Sequence, residues 1–78
     1  MGTEKNLTKL GNNIRCLRKS KGFSQEQLAL HANIDRSYVG GIERGERNVS
    51  FLTLVKIAKC LECDLATLTE GIPDYENS

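Results

Sequence analysis

The residues best equipped for chemistry are donors crowded into one stretch, Arg36, Ser37, Tyr38, Arg44, Arg47 and Asn48, with Ser24 and Gln25 a little upstream. Arginine can donate two parallel hydrogen bonds to the O6 and N7 edge of guanine, worth roughly 1–3 kcal/mol of discrimination, and serine is a less selective partner. Other reactive groups are sparse. Cys60 and Cys63 have C-x-x-C spacing, but no second pair follows, and the remaining metal-binding candidates are Cys16 and a single histidine, His31. Such thiols read as buried or half-buried groups in a reducing compartment. His31 has no acid placed to orient it, and Asp35 and Asp64 read as helix caps rather than catalytic carboxylates. Without a glycine-rich phosphate loop or paired catalytic acids, no catalytic residue, metal, cofactor or small-molecule ligand is expected.

Charge points to a polyanionic partner once it is mapped. All 11 Lys and Arg residues lie between Lys5 and Lys59; only five of the 10 acids occur up to that point, Glu4 among them, and the stretch after Cys60 carries the other five and no base. A positive body with a negative tail suits a polyanion on one face. At 78 residues the chain is expected to form one domain, 1–78, with its core at about 7–71 and loose ends. A chain of this size buries only about 60% of its unfolded surface. No apolar run could span a bilayer and no export signal is legible, so a cytoplasmic location is expected.

Apolar spacing and caps then define the elements that must position the donors. Leu7, Leu10, Ile14 and Leu17 form one helical stripe, closed at Lys21-Gly22. Ser24 caps a short second helix, with Gln27 completing a capping box and Leu28 and Ala29 facing inward. Asp35 caps a third helix from Arg36 to about Arg44, ended by Gly45. Ser50 caps a fourth that reaches Leu61; Asp64 caps a short fifth that ends by Gly71, before Pro73. No strand pattern competes. The prediction is an all-α, compact five-helix bundle. Its short second and third helices, joined by His31 to Ile34, cannot be stable alone and must be locked by Leu28, Ala29, Ile34, Val39 and Ile42. This is a helix-turn-helix plan over about 24–45.

Advancing about 100° per residue places Ser37, Gly40, Gly41 and Arg44 opposite Val39 and Ile42 on the third helix, with Arg36 and Tyr38 at the flanks. Donors near the N-terminal end of an outward face are what a base-reading helix needs. A polar face that merely meets water is the alternative. Two glycines inside a short helix cost about 1 kcal/mol each relative to alanine. On a face pressed into a groove they would let the backbone approach bases, so Gly40 and Gly41 join Arg36, Ser37 and Tyr38 as candidate base contacts. Tyr38 could instead cover the core with its ring. Arg44, near the far end of that face, is the better phosphate candidate. Ser24 adds another, because free amides at a helix start attract phosphate.

From Leu10 to Leu68 the chain resembles the phage-repressor-like helix-turn-helix family of Cro/C1 or XRE type, which has the lambda repressor-like fold. The resemblance is carried by Asn13-Ile14-Arg15-Cys16-Leu17-Arg18, Gly22-Phe23-Ser24-Gln25-Glu26-Gln27-Leu28-Ala29, Ile42-Glu43-Arg44-Gly45, and Leu54 through Ala58 to Leu61. The run from Ile34 to Asn48 is similar to controller proteins of bacterial restriction-modification systems. The resemblance implies a transcriptional regulator that places its third helix in the major groove of operator DNA. It implies that Gln25 bonds a phosphate and leans on the third helix, with Arg47 and Asn48 as further backbone contacts. It also implies a buried ion pair between Arg18 and Glu43. Two departures stand out: Val49 where the family often has proline, and Glu62 where it often has glycine. The readings left beside an operon controller are a prophage repressor and an antitoxin whose partner is a toxin.

A homodimer is expected through the fourth and fifth helices. Phe51, Leu54, Ile57, Ala58 and Leu61 share a face that can supply the core, and Leu52 points away from it with Val55 on its flank. Together with Leu65, Ala66, Leu68, Ile72 and Tyr75 this is more apolar material than so small a domain hides. The interface candidates are Leu52, Val55, Leu65, Ala66 and Ile72. A two-fold pair would set two reading helices roughly 34 Å apart. The same reading allows a contact with RNA polymerase and expects none with a membrane.

Overall fold

The computed structural model describes residues 4–75. Five helices follow one another: α1 (Lys5–Ser20), α2 (Gln25–Ala32), α3 (Arg36–Glu43), α4 (Phe51–Leu61) and α5 (Leu65–Leu68), with no strand among the described residues. The all-α five-helix prediction therefore holds.

Each boundary has a local cause. Glu4 caps α1 by accepting from the amides of Asn6 and Leu7, so the helix begins two residues ahead of the expected core. At the other end, Asn6 Oδ1 accepts from the Asp74 amide at 2.9 Å, tying together two stretches expected to be loose. The fraying expected at 1–3 and 76–78 lies outside the described residues. Ser24 and Gln27 form the full capping box of α2, and Asn33 ends that helix in the left-handed region at φ 58°. Asp35 caps α3 through the Ser37 amide, and Ser50 caps α4 through Thr53. Asp64 occupies the cap position of α5 but makes no side-chain cap bond there, which corrects its expected role.

The core is built from Leu10, Ile14, Leu28, Ala29, Val39, Ile42, Ile57, Ala58, Leu61 and Leu68, with Ile34 packed at its margin. α3 packs on both α1 and α2; α2 packs on α4, and α5 on α1 and α4. Two expectations about the apolar surplus change. Leu68 is wholly buried inside the single chain, whereas Phe51, expected in the core, is 65% exposed beside Leu52 at 70%. Phe51 opens α4, and among the described residues no layer outside that first turn covers it. Leu30 is also exposed at 77%, a feature the helical pattern did not reveal.

The backbones of α1 and the exit of α3 approach closely. A Cβ on Gly11 would stand 2.7 Å from the Glu43 carbonyl oxygen and also collide with that of Ile42. Gly45, at φ 76°, lies equally tight on Thr8, whose Cα would be 2.8 Å from an added Cβ. Two glycines thus let the first helix meet the end of the third at backbone distance, so α3 is held at its exit as well as by its apolar face.

The turn before α5 is made without glycine because Glu62 itself adopts the left-handed conformation, at φ 57°. Its carboxylate accepts from Lys21 Nζ at 3.0 Å, a mostly exposed contact. A non-glycine residue there costs about 1–2 kcal/mol, and an exposed pair returns no more than about 1 kcal/mol. Glu62→Gly is therefore expected to stabilise the fold by about 0.5–1 kcal/mol in urea unfolding. Glu62→Gln, which loses the charge but keeps the strain, should not.

Candidate nucleic-acid interface

The site is organised around a carboxylate. Glu43, the last residue of α3, is 4% exposed, and Arg18 of α1 is 8% exposed. Arg18 Nε donates to Glu43 Oε2 at 2.6 Å and Arg18 Nη2 to Oε1 at 3.0 Å, a two-pronged pair. Arg18 Nη1 donates to the Phe23 carbonyl at 2.7 Å, immediately before the α2 cap. Gln25 Nε2 completes the set by donating to Glu43 Oε1 at 3.0 Å. The ion pair implied by the resemblance is present, and Gln25 leans toward α3 as that resemblance requires. No buried side-chain polar atom among the described residues lacks a partner.

On the outer side of α3, Arg36 is exposed with its Nε 3.5 Å from Glu26 Oε2, and Arg44 Nε lies 3.0 Å from Glu46 Oε1. Both partners were missed in the sequence. Glu46 is near Arg44 along the chain, but Glu26 reaches Arg36 only because α2 packs beside α3. Ser37 is exposed, and its amide and hydroxyl both donate to Asp35 Oδ2. Those bonds from Ser37 hold the Asp35 carboxyl below its ordinary value. Because the folded value lies below the unfolded one, this cap's contribution is present at neutral pH and fades as pH falls through the folded value.

Tyr38 lies at the edge of the core. Its ring is half-buried against the core, and its hydroxyl donates to the Asn48 carbonyl at 2.9 Å. Asn48 and Arg47 are exposed in the loop between α3 and α4, and the Arg47 guanidinium carbon lies 5.5 Å from the centre of the Tyr38 ring. Ser24 is exposed, and its hydroxyl oxygen accepts from the Gln27 amide as a cap.

Gly40 and Gly41 depart from the expectation of an open outer face, for both are buried. Arg44, Arg36 and Gln25 lie over Gly40, and the Arg47 side chain lies over Gly41. The reason is steric: where a helix lacks side chains, neighbouring long side chains settle into the gap, by their tips at Gly40 and by the Arg47 stem at Gly41. In this conformation neither glycine presents its backbone to a groove.

Of the remaining candidates for chemistry, Cys16 is a free, exposed thiol, which corrects its expected burial. The His31 ring stacks on Phe23 with centroids 5.4 Å apart. Cys60 and Cys63 are free thiols pushed above the ordinary value by burial, for Cys63 with the Asp64 carboxylate adding to it, so both are poor nucleophiles at neutral pH. No group of three or more potential metal ligands occurs among the described residues, nor any helix long and apolar enough to cross a membrane. The interface candidates sort unevenly: Leu52 and Ala66 are exposed, while Val55, Leu65 and Ile72 are half-buried.

With this geometry in view, residues 14–68 match the family model HTH_3, described as helix-turn-helix. The chain belongs to the HTH_3 family. It is 42% identical over 59 residues to the control protein C.SmaI of Serratia marcescens, spanning 76% of this chain and 70% of that protein. Its fold matches the restriction-modification controller protein C.AhdI from Aeromonas hydrophila with TM-score 0.82 and 48% identity, covering 83% of this chain and 98% of that one. It also matches the controller protein C.Esp1396I, solved as a tetramer on its natural 35 base-pair operator, with TM-score 0.78 and 39% identity over 86% and 88% of the two chains. These relatives bear the names of control or controller proteins.

For the HTH_3 core itself, the consequence of the buried pair is direct. Removing one member leaves the other charge buried without its mate, at about 3–5 kcal/mol. Glu43→Ala should lower unfolding free energy by that amount in a denaturant titration. Loss of DNA binding in this variant would then report the fold rather than a base contact.

Proposed function

We propose that this protein is a transcriptional controller of a restriction-modification operon, binding double-stranded operator DNA as a homodimer with α3 in the major groove. The observation that carries the reading is the convergence of Arg36, Arg44 and Arg47 on the outer side of α3. Its support is the likeness to controller proteins, one of them solved on its operator.

In this reading Arg36, nearest the helix N-terminus, reads a guanine edge, with Ser37 and the ring of Tyr38 beside it. Gln25, Arg44, Arg47 and Asn48 hold phosphates, with Ser24 and the amides at the start of α2 as an additional anchor. The protein acts by binding alone, in the cytoplasm, without catalysis or a small-molecule ligand, and control of its own promoter includes a contact with RNA polymerase. Genes beside this one discriminate the settings: an endonuclease and methyltransferase pair supports the operon, a phage integration module a prophage repressor, and a toxin gene an antitoxin.

The direct test is anisotropy titration of duplexes from its own upstream region against single-base variants at several salt concentrations. Arg36→Ala should cost about 1–3 kcal/mol of discrimination at one guanine and keep its helical circular dichroism. Affinities that change equally for every base at every position would remove Arg36 as a specificity residue.

The dimer rests on Leu52 and Phe51, exposed on α4, together with Val55, Leu65, Ala66 and Ile72. Sedimentation equilibrium at micromolar concentration should give a dimer for wild type and a folded monomer for Leu52→Asp. Wild type that stays monomeric yet binds a two-half-site operator cooperatively would instead put assembly on the DNA.

A further inference from the structure

The two α3 glycines are covered in different ways. At Gly40 an added Cβ would meet only the tips of flexible groups: Arg44 Nη1 at 3.2 Å, with Arg36 Nη1 and Gln25 Oε1 at 3.7 Å. At Gly41 it would stand 2.7 Å from Arg47 Cγ, 3.3 Å from Nε and 3.5 Å from Cδ. The aliphatic stem of Arg47 therefore occupies the space that a residue-41 side chain would take. Beyond it, the guanidinium carbon lies 5.5 Å from the centre of the Tyr38 ring. The neighbouring backbone is fastened at the same point, because the Glu46 amide donates to the Gly41 carbonyl at 2.9 Å. Gly41 is not among the residues with positive φ, so its backbone makes no demand for glycine. Alanine is the better helix former there. What excludes a side chain at Gly41 is Arg47.

We propose that Gly41 is a positioning residue for Arg47, seating its stem on α3 with the guanidinium over the Tyr38 ring, so that the guanidinium is aimed from the recognition helix. An arginine loose in the loop would have to give up its rotamer freedom on binding, whereas a seated one has already lost much of it. Gly40 has no such role, since the side chains above it can move aside at their tips. The functional half of this assignment rests on the DNA-binding reading; the seating does not.

The test compares Gly41→Ala with Gly40→Ala, each with and without Arg47→Ala. In the free protein, NMR should show the Tyr38 ring-current shift on the Arg47 side-chain protons lost in Gly41→Ala and kept in Gly40→Ala. On operator duplex, Gly41→Ala should bind roughly tenfold more weakly, the loss of about one charge-assisted contact. Its salt slope should fall by about one, and neither effect should deepen once Arg47 is alanine. Any drop in melting temperature in Gly41→Ala should be restored by adding Arg47→Ala, which removes the colliding stem. A ring-current shift that survives Gly41→Ala, an unrestored melting temperature, or an equal affinity loss with and without Arg47 would each overturn the assignment. If wild type prefers no duplex while the shift still vanishes in Gly41→Ala, the seating stands and the DNA-binding reading falls.

Discussion

The structure depends on one buried carboxylate. Glu43 ends α3, and its two oxygens take up Arg18 from α1 and Gln25 from α2, while the same arginine also holds the Phe23 carbonyl ahead of α2. Three helices of separate origin in the chain thus share one polar knot. Taking these charges out of water is costly, and a buried pair of this kind is weak evidence for net stability. Its value here is geometric. An eight-residue helix has little stability of its own, and an apolar face alone would let α3 slide or rotate on its neighbours. A two-pronged pair admits one register, and it places Gln25 against α3 in the same act.

Close backbone contact reinforces that register. Gly11 lets α1 approach the carbonyls at the end of α3, and Gly45 lets the chain leaving α3 lie on Thr8. The polar knot and the glycine contacts constrain the C-terminal end of α3, whereas its N-terminal end, with Arg36 and Ser37, is exposed. The helix is anchored at its rear and presents its leading turn, a division that suits insertion into a groove.

Much of this was legible in the residues, because caps and apolar spacing act locally. Ser24 with Gln27, Asp35 and Ser50 each perform the capping that their types and positions predict, and Leu10, Ile14, Leu28, Val39 and Ile42 face the core as their period demands. The misreadings concern what a single helix cannot show. A helical wheel placed Gly40 and Gly41 on an open face, but exposure depends on which neighbouring side chains can fall into a gap. Phe51 shares the angular face of Leu54 and Leu61, yet lies in the first turn of α4, past the reach of the core. Gly11 carried a usable signal, since glycine in the middle of a strong helix asks for a reason, and close packing against α3 supplies it.

The arginines on the outer side of α3 are held lightly, and this is consistent with their proposed use. Arg36 and Arg44 pair with Glu26 and Glu46 at exposed positions, where such contacts are worth about 0–1 kcal/mol. A phosphate or a guanine edge can displace partners that weak, whereas nothing comparable could draw Arg18 from Glu43. The chain therefore divides its arginines by burial: one locked inside to fix the register of α3, and others outside, loosely paired, able to exchange a carboxylate for DNA. The weak pairs also set a threshold, because each acid must be released before its arginine can bind. That small cost falls on every duplex alike, so a site that returns only phosphate contacts recovers less of it than one that also offers Arg36 a guanine.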